Sequence, residues 1–303
     1  MTIRYLKNKE IDKNRWDKLI DEAPNGRAYA YSWYLDVLAE SRWDALIAGD
    51  YEYVMPLPWR RKFGIYYIYT PLFIQQLGIF SKQKISADLF IEFFKNIPAK
   101  FRYVDLCVNL AQQISYKNIR TSKIRTNYIL DINKPYEEIR KGYKPSARNK
   151  LKKTEDFVLQ ETTAFEKIIA DYIRDNSHLV PDLKKPDYER LHKAMQTAFE
   201  KQHLKACKLT DKDSEIQASG FFLISHNRVC HFFSSQTFPG RKTQAKHFLI
   251  DGFIRKYNGE IKIYDFAGSD LPGVAEFIKK WGTVPELYSN VKMGRFPINL
   301  IKI

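Results

Sequence analysis

Between Arg140 and Lys153 the chain carries seven basic residues in fourteen positions and no acid. A cluster of that density binds phosphates through charge-assisted hydrogen bonds and draws polyanions out of solution. If the run is helical, Arg148 and Lys152 share one face, and Lys141 and Lys144 precede it. Its occupant would be a phosphorylated acceptor, tRNA or an anionic membrane face; the same run also fits a solvated helix face. A second basic element is the loop Thr237-Phe238-Pro239-Gly240-Arg241-Lys242-Thr243, which precedes a helix. The free N–H groups of a helix start, beside Arg241 and Lys242, suit a phosphate, and a plain basic loop reads the same way. Trp59-Arg60-Arg61-Lys62 and the segment Lys117 to Arg125 add charge nearer the N-terminus. The aromatic run Phe63 to Phe73 is either a stacking surface or an alternating strand with a core side and an edge.

Other chemistries find less support. Cys230 and His231 are neighbours on a strand-like segment, so their side chains face opposite sides. His226 sits in a turn, and no pair of residues has zinc-ligand spacing, so no metal is expected. There is no Walker loop and no dinucleotide fingerprint. Cys107, Cys207 and Cys230 are an odd, scattered set, which fits reduced core thiols better than a disulfide framework.

The 303 residues suffice for two domains, and 44% hydrophobic and 15% aromatic content suffices for two cores. With 50 Lys+Arg against 35 Asp+Glu the net charge is +15, which favours anionic partners without naming one. The N-terminus MTIRYLKNKEIDKNRW has charges where a signal peptide needs an apolar core, and no run reaches the length of a membrane span. The expected location is cytoplasmic.

The elements that must position these residues come in two copies. Shifted by 160 positions, Ala87 to Leu106 falls over His247 to Phe266 without a gap. Leu89 lies over Leu249, Phe93 over Phe253, Lys95 over Arg255 and Asp105 over Asp265. Each copy reads as an amphipathic helix, a polar turn and a strand. Ahead of the first copy the pattern predicts an edge strand at Arg4–Lys9 and a helix at Lys13–Glu22. A helix at Trp33–Glu40, capped by Ser32, and strands at Trp43–Ala48, Tyr51–Trp59 and Ile65–Tyr69 follow. Asn127–Ile132 closes this lobe. Pro135 to Gln202 reads as mostly helical, broken near Thr162 and between Val180 and Pro186. The first-lobe order then returns: strands Leu204–Thr210, Glu215–Ser225 and Arg228–Ser235, helix Thr243–Tyr257, strand Ile261–Phe266, helix Val274–Trp281 and a last strand, Leu287–Met293. Meandering strands followed by a strand–helix–strand crossover imply a mixed sheet with helices on it. The fold class is α/β (α+β), in two lobes, 1–133 and 134–303.

A hairpin, a loop, a helix and a parallel strand resemble the core of the GNAT superfamily of N-acyltransferases. Two such modules in one chain resemble the Fem family, aminoacyl-tRNA-dependent peptidyltransferases of peptidoglycan cross-bridges. Tyr264-Asp265-Phe266-Ala267-Gly268, then Leu271-Pro272-Gly273-Val274-Ala275-Glu276-Phe277-Ile278-Lys279-Lys280-Trp281-Gly282, is similar to that family's signature, with Ile278 inserted before Lys279 and Trp281 at an aromatic position. Ser146-Ala147-Arg148-Asn149-Lys150-Leu151-Lys152-Lys153 is similar to the basic helix that opens the second Fem lobe. The likeness covers most of residues 134–293 and, through the repeat, extends more weakly to 30–133.

The resemblance implies two tandem GNAT-like lobes, the first a degenerate copy, and amine acylation in the second. It places a backbone oxyanion donor beside Phe233, Ser234, Ser235 and Gln236, opposite Tyr264 and Asp265. Ser234 or Ser235 would then bind the carbonyl or the amine, Tyr264 would protonate the leaving group and Asp265 would orient the ammonium. Each has a structural alternative: a strand end for the serines, a core aromatic for Tyr264, and a cap for Asp265, which recurs as Asp105. Gln236, Arg241, Lys242 and Thr243 would hold the donor; Lys144, Arg148, Lys152 and Lys279 would hold the acceptor or another polyanion. The donor is aminoacyl-tRNA or acyl-CoA, although the Arg/Gln-x-x-Gly-x-Gly/Ala loop of CoA-dependent GNAT enzymes is missing here. No cofactor stays bound. The acceptor would be an anionic, lipid-linked or cell-wall precursor amine, with tRNA and peripheral contact with an anionic membrane as further partners, and the protein a monomer. A non-catalytic tRNA-binding protein and an acetyl-CoA-dependent N-acetyltransferase are the alternative readings.

Overall fold

A computed structural model describes residues 1–111, 113–152, 156–179, 182–268 and 272–295. In the first part of the chain the elements are β1 (Ile3–Leu6), α1 (Lys13–Glu22), α2 (Ser32–Leu38), β2 (Trp43–Ala48), β3 (Tyr53–Lys62), β4 (Ile65–Tyr69), β5 (Phe80–Ser81), α3 (Ala87–Lys95), β6 (Phe101–Val108), β7 (Ser115–Tyr116) and β8 (Ile119–Asp131). There follow α4 (Tyr136–Gly142), α5 (Pro145–Arg148), β9 (Val158–Glu161), α6 (Phe165–Asn176), α7 (Lys185–Glu200), β10 (Leu204–Thr210), β11 (Ile216–Ser225), β12 (Arg228–Gln236), α8 (Phe238–Thr243), α9 (Ala245–Tyr257), β13 (Ile263–Asp265), α10 (Pro272–Ile278) and β14 (Val284–Gly294).

Two compact units result, Met1–Arg125 with Leu287–Ile303, and Thr126–Glu286. In the first, β1, β2, β3 and β4 run antiparallel in turn, β6 lies parallel to β4, and β14 pairs antiparallel with β6. In the second, β9 to β12 form an antiparallel meander, β13 lies parallel to β12, and Ile129–Asp131 of β8 pair antiparallel with β13. Mixed sheets flanked by helices are therefore the observed class, and both units follow the order meander, helix, parallel strand.

The division differs from the expected cut at 133. The two closing strands are exchanged: Asn127–Ile132 was expected to close the first lobe and Leu287–Met293 the second, but Ile129–Asp131 pair in the second unit and Ser289–Gly294 in the first. Hydrophobic alternation marks a strand but carries no information on which edge it joins.

Local physics accounts for most element bounds. Asp12 caps α1, its carboxylate accepting the N–H groups of Asn14 and Arg15 at 3.1 Å each. Ser32, expected to cap the next helix, lies inside α2; its N–H and hydroxyl both donate to Asp17, at 2.6 and 2.8 Å. Ser86 caps α3, which buries Phe90, Phe93 and Phe94 completely. The segment 135–202, expected to be helical, also contains β9, which pairs with β10. Val180 and Pro181, in the expected break, lie outside the described residues.

In the second unit the core runs between sheet and helix. Phe222 of β11 stacks on Phe253 of α9 with centroids 4.0 Å apart, and Tyr264 and Trp281 are fully buried beside them. Ile250, Phe253 and Tyr257 lie along α9 at helical spacing, which is how one amphipathic stripe comes to cover the sheet.

Candidate active site

The second unit's sheet forks. β12 and β13 pair at three positions only, Arg228 with Ile263, Val229 with Tyr264 and Cys230 with Asp265. After Asp265 the chain leaves β12: Phe266 donates its N–H to Tyr128 O at 2.9 Å, and Ala267 and Gly268 adopt φ of 59° and 58°. A Cβ on Gly268 would sit 2.5 Å from Thr126 O, so only glycine permits this approach to β8. β12 continues with β11 alone as far as the pair Gln236–Ala218. The edge of Phe233–Gln236 that faces away from β11 thus pairs with no strand among the described residues. Such an edge offers backbone N–H groups to a carbonyl oxygen.

A bulge sets which side chains line the fork. Phe221 pairs with Phe233 but Phe222 with His231, leaving Phe232 as the extra residue. Phe233 packs on Phe221 and Tyr172, on the α6 side. His231 stacks on Phe222 at 5.0 Å, on the α9 side. Ser234, opposite Gly220, falls on the His231 side, whereas Ser235 falls with Ser219, their hydroxyls 3.4 Å apart. Ser234 is 5% exposed and its Oγ has no hydrogen-bond partner among the described residues.

The expected acid and ammonium-orienting residues are otherwise engaged. Tyr264 lies opposite Val229 rather than Ser234, fully buried, with its hydroxyl 2.9 Å from His231 Nδ1. Burial raises the phenol well above its usual range, which makes it a poor acid, and it reaches the fork only through His231. Asp265 accepts from Arg228 Nε at 2.7 Å and from Ala267 N–H at 2.7 Å. The Arg228 fork also holds Glu286, to which Asn127 donates at 3.1 Å. Asp265 is therefore the cap and ion-pair partner of the turn that opens the fork. Asp105, its repeat counterpart, is bound by Asn290 at 2.8 Å and Lys292 at 3.1 Å.

Two residues not expected at the fork are His231 and Lys246. Burial, and then the charge of Lys246, push the imidazole down to about 3, so His231 is neutral at neutral pH. Lys246, at the second position of α9, is partly buried, and burial alone lowers its ammonium. Its backbone N–H donates to Gln236 Oε1 at 3.3 Å, and its Nζ stands 5.5 Å from the Phe277 ring centroid. It shares the apolar stripe with Ile250 and Phe253, so a lysine among core positions was the available signal. His231 was masked by strict strand alternation, which the bulge breaks.

The other expected site residues divide. Gln236 stands at the fork. Arg241 pairs with Asp175 at 2.8 Å, Lys242 is exposed over Phe238, and Thr243 Oγ1 donates back to Gly240 O at 3.2 Å. The helix expected at Thr243–Tyr257 is α9, which starts at Ala245; the loop expected ahead of it is the short helix α8, capped by Thr237 and separated from α9 by Gln244 with φ 63°. Arg148 and Lys152 are not on one helical face, because α5 ends at Arg148, yet with Glu137, Arg140 and Lys141 they line one shallow hollow of about 240 Å³. Lys144 is exposed at the start of α5, and Lys279 pairs with Glu276 at 3.0 Å, so neither joins that hollow. Lys153 and Leu271 of the two motifs lie outside the described residues. Among the described residues no group of three or more His, Cys, Asp or Glu side chains is placed to hold a metal, and no helix is long and apolar enough to cross a membrane.

No family model matches the sequence, and no curated protein does. Solved structures do match in fold. FemX aligns over 95% of this chain and 97% of its own at 13% identity and TM-score 0.67. A conserved protein of unknown function from Bacteroides thetaiotaomicron aligns over 97% of this chain and all of its own, at 11% identity and TM-score 0.59. The C-terminal domain of an Agrobacterium fabrum protein named for lysylphosphatidylglycerol synthesis aligns over 96% and 94%, at 8% identity and TM-score 0.55. Over nearly its whole length the chain has the fold of FemX, and the resemblance read in its motifs extends to its architecture.

Proposed function

We propose that the protein is an N-acyltransferase of Fem type, moving an aminoacyl or acyl group from a carrier to an amine on an anionic acceptor. The observation that carries the reading is the fork: from Phe233 to Gln236, β12 runs on past the end of β13 beside Ser234, His231 and Lys246, where a planar acyl group can lie. The acceptor nitrogen loses its proton to the Lys246 amine, attacks the acyl carbon, and the bond from that carbon to the carrier's oxygen or sulfur breaks. The departing atom takes the proton that Lys246 accepted, which restores the neutral amine. Backbone N–H groups of the β12 edge stabilise the oxyanion between these events, and burial, which lowers the Lys246 ammonium, leaves its amine free to accept a proton at a lower pH than an exposed lysine. Tyr264 holds His231 in place and is a positioning residue.

The hollow of Arg140, Lys141, Arg148 and Lys152 supplies the grip on the acceptor's negative charge, which fits a phosphorylated cell-wall or lipid-linked precursor. One matched structure is named for an aminoacylated lipid and another is FemX, both consistent with an aminoacyl donor. The single glycine of the Thr237–Thr243 loop, with Arg241 already paired, argues against coenzyme A as that donor.

The test is transfer of labelled amino acid from charged tRNA, or of acetyl from acetyl-CoA, to an amine-bearing phosphorylated acceptor. Turnover that is lost in Lys246→Met and Ser234→Ala and retained in Ser235→Ala supports the reading. The basic hollow favours a second reading, a non-catalytic polyanion-binding protein. Tight tRNA binding with no turnover on any amine would establish that reading and remove the first.

A further inference from the structure

The β3–β4 hairpin in the first unit turns on two residues, Phe63 and Gly64, between the paired Lys62 and Ile65. Their φ values are 49° and 81°. Such turns select Asn, Asp or Gly, because a Cβ at positive φ crowds the following carbonyl. Phe63 is bulky at that position, and it is 91% exposed, more than any other large hydrophobic among the described residues. Neither the turn nor the core gains from a phenylalanine here. A side chain that is unfavourable both locally and in solvation points to a surface that covers it.

The surroundings identify the surface. Arg60, Arg61 and Lys62 lead into the tip, and none of them is in an ion pair among the described residues. The Arg60 guanidinium lies 4.7 Å over Tyr69, that of Arg61 lies 5.3 Å over Tyr66, and Lys62 Nζ is 5.5 Å from the Phe63 ring. Trp59 and Tyr66 meet edge to face at 5.6 Å on the same hairpin. The sequence contains no acid between Glu52 and Asp88. An apolar tip flanked by three cations whose heads rest on aromatic rings, with Trp59 behind them, matches an acyl boundary, lipid phosphates and a headgroup region that favours Trp and Tyr.

We propose that this hairpin docks the protein on a bilayer containing anionic lipid, with Phe63 entering the acyl boundary and Arg60, Arg61 and Lys62 meeting the phosphates. The docking is separate from the acyl-transfer reading and stands or falls without it. Cosedimentation of the full chain with vesicles of phosphatidylcholine alone, and of phosphatidylcholine mixed with phosphatidylglycerol, tests it. Binding is expected to the mixed vesicles and to weaken as salt rises. Phe63→Asn suits the turn better, so it is expected to melt no lower than the parent while binding about tenfold or more weakly. Arg61→Gln is expected to cost about fivefold. Equal binding to both vesicle types, or undiminished binding by Phe63→Asn, overturns the proposal. So does a loss of tRNA binding in Phe63→Asn with vesicle binding unchanged, which would make the hairpin a nucleic-acid stacking surface.

Discussion

Arg228 Nε donates to Asp265 Oδ2 at 2.7 Å, with side chains only 7% and 1% exposed. The pair ties Arg228, at the first paired position of β12 and β13, to Asp265, at the last, and Asp265 Oδ1 then caps the turn that separates the strands. An aspartate with the sequence context of a catalytic group is thus the hinge pin of the fork. Replacing Asp265 by Asn leaves Arg228 half-compensated in the interior, a loss of about 3 kcal/mol. Urea denaturation of Asp265→Asn is expected to show that loss; full stability with abolished turnover would return Asp265 to a direct chemical role.

Lys246→Met removes a desolvated charge that has no counter-ion among the described residues and keeps the aliphatic stem, so the variant is expected to be at least as stable as the parent. Turnover is expected to fall by about a hundredfold or more, the range of a lost general base. The parent's rate should rise with pH to a plateau at a lower pH than an ordinary lysine gives, because burial lowers this amine. Comparison of pH–rate profiles checks both, and Lys246→Arg, which stays charged, is expected not to restore the rate.

Ser234 and Ser235 separate cleanly. The Ser234 hydroxyl is buried without a partner, so Ser234→Ala is expected to raise stability by about 1 kcal/mol while lowering turnover. Ser235→Ala gives up only the long contact with Ser219 and is expected to change neither by much. Thermal melts with parallel activity assays distinguish the two; equal loss of turnover in both would place the acyl group on the other side of the sheet.

Two histidines make the fold acid-sensitive. His231 and His247, 8% and 4% exposed, are pushed down from 6.5 to about 3 and about 4, mainly by burial. The unfolded chain binds protons on both below pH 6.5 while the native chain does not, so their contribution is complete above pH 6.5 and is lost as pH falls towards 4. Each adds a slope of up to about 1.4 kcal/mol per pH unit. Stability curves from pH 7 to pH 4.5 should flatten by one proton in His231→Phe, and an unchanged slope would contradict the burial of that ring.

Gly240 packs where a Cβ would lie 2.0 Å from Gln217 O. Gly240→Ala must lift α8 from β11, and the expected outcome is a clear drop in melting temperature, with turnover reduced through displacement of Gln236 and the α9 start.

Much of the scaffold was legible because it is local. Lys13–Glu22, Trp43–Ala48, Ile65–Tyr69 and Leu204–Thr210 are elements whose periodicity and caps are written in adjacent residues, and their observed bounds are the expected ones. The repeat of Leu89, Phe93 and Asp105 in Leu249, Phe253 and Asp265 announced two similar helix–strand modules. The site was legible only as a neighbourhood. Ser234, Gln236, Tyr264 and Asp265 do gather near the fork, but their roles depend on an extra residue at Phe232 and a left-handed turn at Ala267-Gly268, neither of which alternation reveals.

Most helices and strands, the doubling of the module and the excess of positive charge were determined by the sequence itself, since the first two follow from patterns of residues close along the chain and the last from composition alone. Only the tertiary structure decided that Ile129–Asp131 and Ser289–Gly294 exchange places, that Arg228 claims Asp265, and that His231 and Lys246 stand at the fork. Those outcomes depend on which distant surfaces can exclude water from one another, and residue spacing alone does not encode that choice.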